Sequence, residues 1–111
     1  MPNPKSKTQP KWPSQVPVFS AEDIHQKSEY QVGKQCCAVG WLLKLFLKIP
    51  EYGAYDFSIF YQAVKEFKKH AKGLRNYSCI EEWNDDPKRT TEEIAQTLNK
   101  TMVGLGYSHY E

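Results

Sequence analysis

Apolar residues recur at helical rather than strand spacing over most of this chain of 111 residues. Ser20 stands three residues before Asp23, the spacing in which a hydroxyl and a carboxylate satisfy each other's unpaired backbone N–H groups, and it predicts a helix over about 21–30 broken at Gly33. From about Gln35 to Leu47 nearly every position except Lys44 is apolar or small, as expected of the central helix of a compact bundle, and Pro50 ends it. Over residues 57–72, Phe57, Phe60, Tyr61, Val64, Phe67 and Ala71 repeat every three or four positions, with Asp56 as cap and Gly73 as stop. Ser78 and Glu81 repeat the capping spacing ahead of one short turn through Trp83. A last helix starts at Thr90 or Thr91, carries Ile94, Ala95, Leu98 and Met102 on one side, and stops at Gly104 or Gly106.

No strand pair is evident, and only residues 15–19 read as extended. The expected fold is therefore all-α, a compact single domain of about four helices around Trp41, Leu42, Leu45, Phe60, Val64, Phe67 and Leu98. Five of the seven prolines fall in residues 1–17 with Lys5, Lys7 and Lys11. That mixture buries too little apolar area to offset its ordering entropy, so residues 1–19 read as a flexible tail and 20–111 as the helical domain.

Fifteen Lys/Arg against thirteen Asp/Glu leave a formal charge of +2, which names no partner by itself. The most apolar stretch, 36–49, is interrupted by Lys44 and Lys48 and is shorter than a bilayer span, which argues against a membrane protein. The N-terminal residues lack the apolar segment of a secretory signal. Three cysteines, two of them adjacent, suit a reducing compartment, and the expected location is cytoplasmic.

Residues 79–98, CIEEWNDDPKRTTEEIAQTL, invite two readings. As a corner, Asn84, Asp85 and Asp86 bond nearby backbone, Pro87 stops one helix and Thr90 caps the next. Trp83 enters the core with its indole N–H in need of an acceptor, and Arg89 pairs with Asp85 or Asp86. As a metal site, Asp85 and Asp86 join Glu81 or Glu82, but the spacing fits no calcium loop and Arg89 competes for the same carboxylates. No zinc pattern and no phosphate loop are present, so no cofactor is expected.

The segment CCAVGWL at 36–42, followed by IEEWNDDPKRTTEEIAQTL at 80–98, resembles an uncharacterised family of small proteins from bacteria and their phages. The matching positions are Cys37, Gly40, Trp83, Asn84, Asp85, Pro87, Arg89 and Thr90. The resemblance implies a phage or prophage origin and a common fold, and lends no activity.

Three functional expectations follow. The first is a non-catalytic, phage-encoded protein that binds and modulates a host or defence-system protein. Trp12, Tyr52, Tyr55, Tyr107 and Tyr110 are its anchors, being hard to bury together in so small a domain, and they leave self-association open. The second is a nucleic-acid-binding module using Lys65, Lys68, Lys69, Lys72 and Arg75 on one helix face, against the alternative of a merely solvated face. The third is a thiol hydrolase, in which Cys36 or Cys37 near a helix start is the nucleophile. His25, His70 or His109 would be its base, and Asn84 or Asp85 the orienting group.

Overall fold

The computed structural model describes residues 12–26, 35–49, 54–55 and 57–107. Among the described residues four helices carry the fold: α1 (Ala38–Leu42), α2 (Phe57–His70), α3 (Ile80–Asp85) and α4 (Thr91–Gly104). The expected all-α architecture is what forms, with α2 and α4 as its longest and most extensively paired members.

The last helix follows its sequence signals closely. Thr90 caps α4 by accepting from Glu93 N at 3.1 Å, and Glu92 and Glu93 occupy the first turn, where negative charge suits the helix dipole. Ile94, Ala95, Leu98 and Met102 are buried along one side. Gly73 closes the segment after α2 with a φ of 74°, a left-handed conformation that favours glycine.

Elsewhere local signals give way to packing. The helix expected over 21–30 is a single 3-10 turn, Ala21–Asp23, although Asp23 Oδ2 accepts from Ser20 N at 2.8 Å as the capping spacing requires. Ile24 is extended instead, buried, and joined to Cys36 in a parallel bridge with His25 N donating to Cys36 O at 2.9 Å. Residues 27–30 of that expected helix, with Gly33, lie outside the described residues.

The central helix also starts late. Cys37 caps α1, and the chain widens to a π turn over Leu43–Leu47, from which Phe46 reaches the core. A two-residue antiparallel ladder, β1 (Lys48–Ile49) with β2 (Ala54–Tyr55), then corrects the expectation of no strand pair. Pro50 and Asp56 lie outside the described residues. Cys79 rather than Ser78 occupies the N-cap position of the short helix, with no side-chain cap bond, and the Ser78 hydroxyl donates to Glu82 instead.

The core is centred differently from expectation. Trp41, Leu42, Phe67 and Leu98 are buried, but Leu45, Phe60 and Val64 are only half-buried, and Phe46, Ile59 and Ala63 take the deepest places. On α2 the buried face runs through Ile59, Ala63 and Phe67, leaving Phe57 and Tyr61 outside it.

Packing begins ahead of the expected boundary at Ser20. Val16 and Phe19 are buried, Phe19 meets Trp41 edge-on at 5.0 Å, and Trp12 meets Phe46 edge-on at 5.9 Å. Two polar clamps hold this extended segment to the end of the chain. Asn99 takes Phe19 N at 2.8 Å and donates to Phe19 O at 2.9 Å, and Tyr107 Oη donates to Pro13 O at 2.7 Å. These bonds replace the strand partners that an extended backbone needs.

Candidate binding face

The Trp-Asn-Asp corner is tied into the fold through Trp83, Asn84, Asp86 and Arg89. Asn84 is fully buried, its Oδ1 accepting from Ala38 N at 3.0 Å and its Nδ2 donating to Gln26 O at 2.8 Å. It therefore joins the start of α1, the segment after the 3-10 turn and α3. Trp83 fills the core edge-on to Phe67 at 5.6 Å, and its Nε1 donates to Lys72 O at 2.9 Å. Asp86 makes the expected turn contact, accepting from Lys88 N at 2.8 Å. Pro87 is exposed in that turn.

Arg89 departs from expectation. Its Nη1 pairs with Glu93 at 2.6 Å rather than with Asp85 or Asp86, and its Nε donates to Trp83 O at 2.9 Å. The guanidinium also lies over the rings of Trp83 and Tyr77. Asp86 instead accepts from the Tyr77 hydroxyl, which holds its carboxyl below the ordinary value and raises that of the phenol. Among the described residues no three His, Cys, Asp or Glu side chains come together to hold a metal ion.

The thiol pair sits where its neighbours forbid easy chemistry. Cys36 and Cys37 are buried, and burial pushes both thiols above their ordinary pKa, against the weaker opposing effect of Lys44 on Cys36 and of the Gly40 and Val39 N–H groups on Cys37. Cys37 Sγ accepts from Gly40 N at 3.4 Å, which is helix capping. Of the candidate bases, His70 Nε2 bonds Glu66 at 2.9 Å, and His109 lies outside the described residues. His25 Nε2 is buried without a hydrogen-bond partner, and Asn84 is already committed. Burial and the raised pKa both disfavour the thiolate form of Cys36 and Cys37.

Of the five expected aromatic anchors, two have side chains among the described residues. Trp12 and Tyr107 are half-buried against the core, Tyr52 and Tyr110 lie outside the described residues, and Tyr55 is described only as backbone in β2. Among the described residues the exposed aromatics are two others, Phe57 at 60% and Tyr61 at 63%, with ring centroids 6.2 Å apart.

These two rings continue into the basic residues. At about 100° per residue, Phe57, Tyr61, Lys65 and Lys68 fall within an arc of about 80° on the side of α2 away from Ile59 and Ala63. Lys69, Lys72 and Arg75 are exposed beside and beyond them. Among the described residues only Lys69 of these five cations is in an ion pair, with Glu66 at 3.2 Å.

Residues 57–75 hold five Lys/Arg and one acid, a formal +4, so the remainder of the chain carries −2 of the +2 total. At its basic end the stripe borders an open cleft of about 350 Å³ lined by Lys68, Arg75, Tyr77, Ser78 and Cys79 among others. Glu66 is drawn away from the stripe. Its carboxylate lies against the backbone of Gly104, where any Cβ would collide with it, and His70 and Lys69 bond it and lower its pKa.

No protein-family model, curated protein or solved structure matches the chain. Among the described residues no helix is long and apolar enough to cross a membrane.

Proposed function

We propose that the protein is a non-catalytic module that binds nucleic acid through the stripe on α2, with Lys65, Lys68, Lys72 and Arg75 facing phosphates and Lys69 beside them. The observation that carries this reading is the continuity of exposed cations with exposed aromatics on one helix face. Cations supply sequence-independent attraction to a phosphate backbone, and aromatic rings offer surfaces to bases. Lysine is depleted at protein–protein interfaces, so a lysine-dominated face suits a polyanion better than a folded protein.

A second reading keeps a host or defence protein as the partner of a phage-encoded chain, the origin implied by the sequence resemblance. Exposure of Phe57 and Tyr61 favours it, since aromatic side chains are enriched at interfaces. Purification of the tagged protein from a bacterial lysate, with and without nuclease, separates the two. Nucleic acid that coelutes without nuclease, and is lost from a Lys65→Ala/Lys68→Ala/Lys72→Ala variant, supports the first. A single protein retained in stoichiometric amount after nuclease treatment, with no nucleic acid in the untreated sample, moves the assignment to the second.

A further inference from the structure

We infer that the nucleic acid taken by this face is single-stranded, with Phe57 and Tyr61 serving as platforms for unpaired bases. The inference rests on the nucleic-acid reading above and specifies its ligand. In a duplex the faces of the bases are covered by their neighbours, and a helix lying in the major groove meets only base edges, read mainly by hydrogen-bonding side chains with the thymine methyl as the apolar contact. The stripe on α2 presents the opposite chemistry. Its first two positions are Phe57, with no hydrogen-bonding group, and Tyr61, and the polar positions that follow them are lysines, whose ammonium groups match phosphates.

Placement agrees with chemistry. Phe57 and Tyr61 sit one turn apart, tilted by 34° to each other, and are the most exposed large apolar side chains of α2. Lys65 and Lys68 follow within the next two turns. A strand lying along the helix therefore meets rings at one end and positive charge along the rest. Stacking on a ring tolerates any base, because every base has a π face, so this arrangement predicts weak dependence on sequence. Glu66, the one acid among residues 57–75, is kept off the stripe, since it is turned to Gly104 and tied to Lys69 and His70.

The test uses fluorescence anisotropy with three 12-residue probes at low salt: a mixed-sequence single strand, its duplex, and a single strand of the same length made of abasic sites. The intact strand is expected to bind about tenfold or more tighter than the abasic one, because each stacked base adds affinity that phosphates alone do not supply. Phe57→Ala and Tyr61→Ala each lower affinity for the intact strand about tenfold and leave the abasic strand unaffected. Both residues are exposed, so unchanged thermal midpoints confirm that the variants remain folded.

Equal affinity for intact and abasic strands, or tighter binding of the duplex, overturns the single-strand inference. If the lysine variants still weaken binding in that case, the nucleic-acid reading stands without it. Absence of binding to all three probes overturns both.

Discussion

The guanidinium of Arg89 lies 3.9 Å from the ring centroid of Trp83 while its Nε donates to the carbonyl of that same tryptophan at 2.9 Å. One side chain thus fixes both the indole plane and the end of α3. Its side chain is only 10% exposed, so these contacts are made largely out of water, where each is stronger than at the surface. Lysine keeps the charge but lacks the flat fork that stacks and bonds at once. Arg89→Lys is expected to lower stability by about 1–2 kcal/mol, read from urea denaturation midpoints. Glu93→Gln, which removes only a half-exposed partner, should cost less than about 1 kcal/mol.

Asn84 carries a sharper, pH-dependent prediction. Its amide accepts from Ala38 and donates to Gln26 in a fully buried site, so Asn84→Ala should cost about 2–4 kcal/mol by leaving both backbone groups unpaired. Asn84→Asp can imitate the amide only when protonated, since a carboxylate has no hydrogen to give Gln26 O. Burial raises that carboxyl's folded pKa above its unfolded value. The variant should therefore approach wild-type stability below the unfolded pKa and lose it progressively as pH rises. Denaturation curves of the variant and the wild type at pH 3 and pH 7 provide the check.

The cysteines should divide by reactivity. Cys79 is exposed, whereas Cys36 and Cys37 are buried with raised pKa values. A thiol reagent such as dithionitrobenzoate should titrate one group rapidly in the folded protein and the other two only on unfolding. Rapid reaction of the adjacent pair in the native state would restore a nucleophilic role for it.

Acid should loosen the fold through two identified carboxylates. Glu66 is held below its ordinary pKa by His70 and then Lys69, and Asp86 by Tyr77 and then the Lys88 N–H. Because both folded values are depressed, their contribution is present above the unfolded pKa values and disappears as pH falls through the folded ones. Stability measured from pH 6 down to pH 3 should decline, and a Glu66→Gln/Asp86→Asn variant should decline less.

What was legible in the sequence depended on whether a signal was local. The Thr90 cap, the start of α4 and its apolar side could be read because cap and periodicity act within a few residues. The Trp83 corner was readable as structure for the same reason, but its partners were not, since Ala38, Gln26 and Lys72 are brought to it only by the fold. The 3-10 turn in place of a first helix reflects Ile24 gaining a bridge to Cys36, a contact that no local preference records. On α2 the count of aromatics concealed a competing face. Ile59, Ala63 and Phe67 also stand four apart, and that row takes the buried side, which leaves Phe57 and Tyr61 outside.

The most direct test of the account is an anisotropy titration of the intact single-stranded probe between 50 and 200 mM salt. With about four phosphates neutralised, the logarithm of the affinity should fall against that of salt concentration with a slope of about −3, a loss of about 50-fold over this range. The Lys65→Ala/Lys68→Ala/Lys72→Ala variant should bind more weakly with a slope of about −1. A slope near zero, or an identical slope in that variant, would contradict the assignment of this face to nucleic acid.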